Sequence, residues 1–334
     1  MPSSSNTPHP TDQKIPTKRE ESHSGLSLDE TMFSNGKSGT ATLTICVPSY
    51  KDSAIPLLNS LASLNNIDNC SLVLFDDGSD DQAATQKHME AIAAFPSPAR
   101  LITSARNLGR SHARNRLVAL AEAEWILLLD ADMLPDDVDF LTRYLKAISR
   151  EGQPALIAGG FSLAQVSPDF INRLHAIQAA ASDCVPASVR NTDPGRYVFT
   201  SNILVHRDIL NRVSFDDGFV GWGWEDVDWG IRVTKEFSVH HIDNTATHLG
   251  LETDRVLVNK FGTSGQNYAR LVEKHPSLTA TLPLTRAAKA LKPLRFSAPL
   301  FRRIALMKLF PNRLRLLALK AYRAMEYSRY IGVS

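Results

Sequence analysis

Two aspartates at the end of an apolar segment are well placed to do chemistry. Asp130 and Asp132 follow the five-residue apolar run 125–129, which predicts a strand buried on both faces, as in a parallel sheet. Open α/β sheets bind ligands at the carboxyl ends of their strands, and two carboxylates at this spacing can share a divalent cation and the phosphates that it neutralises. The pattern predicts a nucleotide-diphosphate site. A turn or a helix N-cap is the alternative, because aspartate is common at both.

A second acid cluster follows another predicted strand. The apolar segment 71–75 runs directly into Asp76, Asp77, Gly78 and Ser79, and these residue types predict a turn and then a helix cap. This cluster also lies at the carboxyl end of a strand.

A third group of acids lies in the second half of the chain. Glu225 and Asp226 come directly after Gly221-Trp222-Gly223-Trp224. Two tryptophans and two glycines are poor choices for a helix or a core, but they suit a loop on which a pyranose ring stacks. The alternatives are that the two acids only stabilise the first turn of a helix, through its dipole, and that one tryptophan belongs to the core.

The elements that position these groups alternate regularly along the first half of the chain. Strands are predicted at residues 42–47, 71–75, 99–103 and 125–129, with amphipathic helices between them. This alternation predicts a doubly wound, mostly parallel α/β sheet with right-handed crossovers, flanked by helices. Residues 1–39 are polar and lack hydrophobic periodicity, so we expect them to be disordered. We assign residues 40–284 to this α/β domain and 285–334 to a helical extension.

Composition and charge narrow the class of protein. The chain has 334 residues, of which 43% are hydrophobic and 22% charged, as in ordinary globular proteins. It has no apolar stretch of membrane-spanning length, no signal-peptide core and no paired cysteine spacing, so we expect a cytoplasmic protein. From Arg286 onward the sequence contains twelve Lys or Arg residues and only one acid, Glu326. Helical spacing places Leu314, Leu317, Ala318, Ala321 and Met325 on an apolar face, against Arg313, Arg315, Lys320 and Arg323 on a polar face. This amphipathic basic extension predicts either an anionic membrane surface as partner, on the inner face of the membrane, or a helix that packs on the domain. Its aromatic residues are sparse, so a nucleic-acid partner is not expected.

The ordered motifs of residues 41–250 resemble the family-2 glycosyltransferases, inverting enzymes with the nucleotide-sugar-binding GT-A fold. The resemblance is carried by Val47-Pro-Ser-Tyr50, Asp76-Asp77-Gly78-Ser79, Arg106-Asn107-x-Gly109, Ala113-Arg114-Asn115 and Asp130-Ala-Asp132. The segment 221–226 is also similar to the signature of β-1,4-galactosyltransferases and chondroitin-type polymerases.

The resemblance implies a role for each matching residue. On the donor side it implies that Asp77 contacts the uracil and Asp130 the ribose. It implies donor-binding roles for Ser49 and Tyr50 under the nucleotide and for Arg106 and Arg114 near the phosphates, although either arginine could simply pair with the acid clusters.

The resemblance also implies a metal and a base. Asp132 would hold Mn²⁺ or Mg²⁺, and His248 matches a late histidine ligand, with packing or capping as the alternative for this residue. Asp226 would be the base that takes the acceptor's proton, Glu225 would orient the acceptor, and Trp222 and Trp224 would contact the acceptor sugar.

We therefore expect an inverting, metal-dependent glycosyltransferase that moves a sugar from a UDP-sugar to a hydroxyl of a glycan or lipid-linked acceptor, in cell-surface polysaccharide or glycolipid synthesis. The Gln-x-x-Arg-Trp pattern of processive synthases is missing, which favours a non-processive enzyme. A sugar-nucleotide pyrophosphorylase is disfavoured, because no Gly-rich phosphate loop follows the first strand. A catalytically silent nucleotide-sugar or glycan-binding module is the other alternative.

Overall fold

The computed structural model describes residues 26–216 and 218–332, in which two sheets are surrounded by helices. The strands are β1 Glu30–Ser34, β2 Leu43–Ser49, β3 Cys70–Asp76, β4 Ala99–Ser104, β5 Trp125–Leu129, β6 Met133–Pro135, β7 Ala155–Ala158, β8 Phe161–Ser162, β9 Asn202–His206, β10 Ser238–His241 and β11 Ala246–His248. The large sheet has the order β1-β4-β3-β2-β5-β9-β7-β10, and the small sheet has the order β6-β11-β8.

The helices fall into two groups. Those of the first group flank the large sheet, except that α5 packs on the second group: α1 Ile55–Ala62, α2 Gln82–Ala94, α3 Arg110–Leu120, α4 Phe140–Ile148, α5 Arg173–Ser182, α6 Ala187–Arg190, α7 Arg207–Arg212 and α8 Glu225–Val233. Those of the second group form a C-terminal helical layer: α9 Asp254–Thr263, α10 Gly265–Lys274, α11 Pro276–Ala280, α12 Pro283–Leu291, α13 Ala298–Leu306 and α14 Asn312–Tyr327. None of the helices in the described ranges combines the length and apolar character that crossing a bilayer requires.

The prediction of a doubly wound, mostly parallel sheet is confirmed. Strands β4, β3, β2 and β5 pair in parallel, as do β7 and β10, whereas β9 runs antiparallel between β5 and β7. Parallel pairs need crossover helices, and α1, α2 and α3 supply them. The carboxyl ends of β2, β3 and β5 therefore meet at one edge of the sheet.

The central strand β5 is buried on both faces, as its apolar run predicts. Leu127 and Leu129 pack into the core beneath α1, α2 and α4, while Ile126 and Leu128 pack into the core beneath α3, α7 and α8. Each fully buried side chain of this kind stabilises the fold by about 2 kcal/mol. The strand is thus a rigid support for the loop that carries Asp130 and Asp132.

The prediction of disorder over residues 1–39 is wrong at Glu30–Ser34; residues 1–25 lie outside the described ranges. Strand β1 pairs antiparallel with β4, and Phe33 packs against the core. Glu30 forms a 2.7 Å ion pair with Arg116 of α3. Strand pairing, apolar contacts and ion pairs with distant residues thus anchor a segment whose composition alone favours disorder.

The basic extension packs on the domain, and its buried face agrees with the predicted apolar face only in part. Ala318, Leu319 and Met325 of α14 lie in a core shared with α9. Leu317, expected on the buried face, is 64% exposed. Arg315, expected on the polar face, is instead buried in an ion pair with Asp254. The boundary drawn between residues 284 and 285 falls inside α12.

Candidate active site

The carboxyl ends of β2, β3 and β5 open into a cleft of about 880 Å³. Helices α5, α8, α9 and α14 contribute to its lining. The predicted site residues that line it are Ser49, Tyr50, Asp77, Arg114, Asp130, Asp132, Trp222, Trp224, Glu225, Asp226 and His248. Residues from six separate segments of the chain are thus brought to one cavity.

Arg106 is the exception. Its guanidinium forms a 2.9 Å ion pair with Asp29, and the side chains are 59% and 44% exposed. The residue does not line the cleft. The structure thus places Arg106 in a surface pair with an acid outside the predicted clusters, which is neither the donor-phosphate contact nor the pairing with those clusters that the sequence left open.

Asp132 and His248 form a direct pair in the cleft. The loop after β5 carries Asp132, and β11, which pairs with β6, carries His248, so that His248 Nε2 lies 3.1 Å from Asp132 Oδ2. Burial alone would raise the pKa of Asp132, but the hydrogen bond and charge of His248 outweigh it and lower that pKa. Burial alone would likewise lower the pKa of His248, but Asp132 raises it. The two side chains stabilise each other as an ion pair.

The donor set of this pair fits a divalent cation. A carboxylate oxygen and an imidazole nitrogen both ligate Mn²⁺, and two protein ligands leave positions for diphosphate oxygens and water. Within residues 26–216 and 218–332 no group of three or more His, Cys, Asp or Glu side chains is arranged to hold a metal. An ion bound here would therefore depend on the substrate's phosphates for the rest of its coordination.

Gly250 keeps the space beside this pair open. A Cβ atom at this position would lie 2.1 Å from Asp132 Oδ2 and 3.0 Å from His248 Nε2. Any other residue would displace one of the two side chains. The close approach explains why glycine follows the His248-Leu249 segment.

Asp226 is oriented by residues that its own sequence segment does not reveal. The backbone N–H and the hydroxyl of Thr200 each donate a hydrogen bond of 3.0 Å to its carboxylate. Ser201 donates a 2.7 Å hydrogen bond to Asp130. Consecutive residues just before β9 thus hold the carboxylates of two different site segments.

Arg114 links the same two carboxylates. It is 4% exposed, and its guanidinium lies 3.5 Å from Asp130 and 3.8 Å from Asp226. The sequence left two roles open for it, contact with the donor phosphates or pairing with acids. The structure shows the pairing, and the residue still lines the cleft.

The loop before Glu225 is conformationally unusual. Gly221, Gly223 and Trp224 have φ values of 83°, 92° and 80°. Glycine adopts this left-handed region easily, whereas for a bulky residue such as Trp224 it is strained. Strain of this kind is often found at functional sites.

Glu225 begins α8 with a carboxyl oxygen, Oε2, that is buried and has no hydrogen-bond partner in the described residues. Burial and then the charge of Asp226 raise its pKa. A protonated Glu225 can donate a hydrogen bond into the cleft.

The two tryptophans both line the cleft and both pack on the C-terminal helical layer. Trp222 lies on Phe261 with ring centroids 5.6 Å apart, and Trp224 lies 4.5 Å from Tyr268. Trp224 Nε1 also donates a 3.2 Å hydrogen bond to Tyr327. Each tryptophan therefore packs against the helical layer and also lines the cleft.

Asp77 orders one wall of the cleft. Its carboxylate accepts hydrogen bonds from the backbone N–H groups of Leu108 at 3.0 Å and Gly109 at 2.8 Å. Asn107 adds a side-chain hydrogen bond of 3.0 Å. Asp77 therefore orders the loop that begins α3, although carboxylate oxygens can accept further hydrogen bonds.

Sequence reasoning missed several lining residues. Arg110 lies at the N-terminus of α3, where phosphates bind readily, and its position after Gly109 was a signal that could have identified it. Arg323 comes from α14 and lines the same cleft. No local pattern distinguishes Arg323 from the other basic residues of the extension.

Comparisons with known proteins concern the family and the fold. The family model described as "Glycosyl transferase family 2" matches residues 44–212. No curated protein matches the sequence. A mannosyltransferase from Pyrobaculum calidifontis, solved in complex with GDP-Man and Mn²⁺, has a similar structure with 16% identity, a TM-score of 0.53 and 88% of each chain covered.

Two further similar structures have lower scores. TarS 1-349 from S. aureus in complex with UDP-GlcNAc has 15% identity and a TM-score of 0.45, with 86% of this chain and 91% of that chain covered. Glucosyl-3-phosphoglycerate synthase from Mycobacterium tuberculosis, in complex with Mn²⁺, UDP and glucosyl-3-phosphoglycerate, has 14% identity and a TM-score of 0.48, with 70% and 79% covered. At these identities the likeness concerns the fold alone.

Proposed function

The chain belongs to glycosyl transferase family 2 and is a GT-A glycosyltransferase that uses a nucleotide sugar; from this premise we propose an inverting, metal-dependent transfer from a UDP-sugar to a hydroxyl of a glycan or lipid-linked acceptor. The proposal rests on one observation: Asp226 and the Asp132–His248 pair line the same cleft. Arg114 connects the two groups, because it pairs with Asp226 and with Asp130, which lies two residues before Asp132.

Asp226 is the proposed general base. Inversion requires a base on the face of the sugar opposite the leaving diphosphate, where it takes the acceptor's proton as the hydroxyl attacks. Thr200 fixes the orientation of the Asp226 carboxylate, and Asp226 lines the cleft. Glu225, whose pKa is raised by burial and by the charge of Asp226, orients the acceptor by donating a hydrogen bond.

Asp132 and His248 are the proposed metal ligands. The bound Mn²⁺ or Mg²⁺ supplies charge neutralisation for the leaving diphosphate. The similar mannosyltransferase solved with GDP-Man and Mn²⁺ supports a nucleotide sugar and a metal for this fold. Arg110, at the N-terminus of α3, adds a positive charge on the donor side of the cleft, where Ser49, Tyr50, Asp77 and Asp130 hold the nucleoside in this proposal.

A donor screen tests the proposed reaction. The protein is incubated with UDP- and GDP-sugars, with Mn²⁺, Mg²⁺ or EDTA, and release of nucleoside diphosphate is measured. We expect release from one UDP-sugar with a metal and none with EDTA. Equal release with EDTA would contradict the metal role, and release from GDP-sugars only would contradict the UDP assignment.

We also propose that the C-terminal helical layer rests on an anionic membrane, which would place the enzyme on the inner face in polysaccharide or glycolipid synthesis. Residues 274–325 contain no Asp or Glu. Large apolar side chains protrude there, including Phe296 at 79% and Leu309 at 92% exposure. Arg295 lies over Phe296, and Lys308 lies near the half-exposed Phe170. Arg295 and Lys308 have no carboxylate partner in the described residues, and cations of this kind beside exposed apolar side chains fit an anionic lipid surface.

Vesicle binding tests the membrane proposal. The double variant Phe296→Ser and Leu309→Ser keeps the helical layer folded, because neither side chain is buried. We expect it to bind phosphatidylglycerol vesicles more weakly than the native chain, with neither protein binding phosphatidylcholine. Val138→Ser, at 52% exposure on another part of the surface, is the matched control. Equal binding by the double variant would remove the proposal.

A further inference from the structure

Arg323 carries a positive charge from the C-terminal extension into the cleft. It lies on α14, a helix far from the site in sequence, and it lines the cavity with Trp224 and Phe261. Its guanidinium carbon is 4.4 Å from the centroid of Phe261, 5.0 Å from that of Trp224 and 5.2 Å from that of Tyr327. Three aromatic rings therefore hold the group in a defined direction.

Most of the hydrogen-bonding capacity of Arg323 is free. An arginine side chain has five N–H donors, of which Nε–H donates to Tyr327 at 3.2 Å. In residues 26–216 and 218–332, no other acceptor and no carboxylate lies within bonding distance of this guanidinium. By contrast, Arg114 and Lys260, which also line the cleft, are paired with carboxylates.

Asp183 acts on Arg323 only from a distance. This carboxyl lines the same cleft, and burial raises its pKa although the charge of Arg323 offsets part of the rise. Ser182 donates a 2.8 Å hydrogen bond to the Asp183 carboxylate. Among the described residues no hydrogen bond or ion pair joins Asp183 to Arg323, so no carboxylate of the described part of the cleft contacts this guanidinium directly.

The position of Arg323 assigns it to the acceptor side. Its contact Trp224 directly precedes Glu225 and Asp226, the proposed acceptor-orienting residue and base.

We infer that Arg323 forms a subsite for an anionic group, a phosphate or a carboxylate, on the acceptor. The planar guanidinium binds either oxyanion with two parallel hydrogen bonds. The inference rests on the proposed function for its assignment to the acceptor, and the anion site itself stands on the geometry of the cleft.

Calorimetric titration tests the subsite. The protein is saturated with UDP and Mg²⁺, which occupy the donor side, and is titrated with inorganic phosphate or with acetate. The variants are Arg323→Gln, Arg323→Lys and the control Lys320→Gln, which removes an exposed cation one turn away on the same helix. Thermal melting confirms that each variant is folded.

We expect the native chain and Lys320→Gln to bind the anion equally. Arg323→Gln should bind it about tenfold to a hundredfold more weakly, with Arg323→Lys between the two, because lysine keeps the charge but not the paired donors. Binding of both anions would indicate either acceptor group, and binding of phosphate alone would indicate a phosphate.

Two results would overturn the subsite: anion binding that is equal in Arg323→Gln and the native chain, or no binding of either anion by the native chain. A loss of UDP affinity in Arg323→Gln would contradict the acceptor assignment. Failure of the proposed function gives a different result, because neither the native chain nor Arg323→Gln then binds UDP. In that case the anion titration is repeated without nucleotide, and it still tests the anion site.

Discussion

Replacing Gly250 by alanine should disable the proposed metal site while leaving the fold intact. The added Cβ would lie 2.1 Å from Asp132 Oδ2, whereas two such atoms need about 3 Å or more. Asp132 must therefore move by roughly 1 Å, which is several times the tolerance of about 0.2 Å for a metal–ligand distance. The obstructing atom is the end of a side chain, so rotation relieves the clash at little cost to stability.

We expect Gly250→Ala to weaken Mn²⁺ affinity by about 10–100-fold, the range seen when a residue that positions a metal ligand is changed. That change equals about 1.4–2.7 kcal/mol of binding free energy. Isothermal titration with Mn²⁺ and saturating UDP measures it. Gly152→Ala is the matched control, because a Cβ at that position has no neighbour within 4 Å. Native Mn²⁺ affinity in Gly250→Ala would refute the assignment of Asp132 and His248 to a metal.

Three further predictions follow from the contacts of single residues. Thr200→Val removes a hydroxyl that bonds Asp226, so we expect kcat to fall by about tenfold with UDP affinity unchanged; an unchanged kcat would contradict the orienting role. Arg106→Gln breaks only an exposed ion pair, worth about 1 kcal/mol at most, so UDP affinity should stay native, and a large loss would restore Arg106 to the donor site. Burial lowers the pKa of His241 to about 4, so between pH 6.5 and 4 the unfolded chain binds the proton that the folded chain excludes. The free energy of unfolding should therefore decrease by up to about 3 kcal/mol as the pH is lowered from 6.5 to 4. Urea unfolding of His241→Asn should lack this part of the pH dependence; the same pH dependence in the variant and the native chain would contradict the lowered pKa of His241.

The sheet and its carboxyl edge could be predicted from the sequence because their signals are local. The buried run of β5 and the acids that follow it are adjacent in the chain, so Asp130 and Asp132 were placed correctly in the cleft. Strand β1 was missed because pairing with β4 and the Glu30–Arg116 ion pair, rather than composition, order it.

The network around the acids could not be predicted, since its contacts join distant segments. Thr200 bonds Asp226, which lies 26 residues later in the sequence. Arg323 lies in the cleft because α14 packs on α9. The burial of Arg315 likewise depends on Asp254, which no periodicity in the extension reveals. Helical spacing alone therefore assigned the buried face of α14 correctly at Ala318 and Met325 and incorrectly at Leu317 and Arg315.

The most direct test of the account compares Asp226→Asn with the native chain on the active donor. The substitution keeps the shape of the side chain and removes its basicity, so we predict that kcat falls by about 10²–10⁴-fold, the usual contribution of a general base. The affinity for UDP and Mn²⁺ should remain within a few fold of the native value. A kcat that stays near native would contradict the role of Asp226 as the base and, with it, the proposed inverting mechanism.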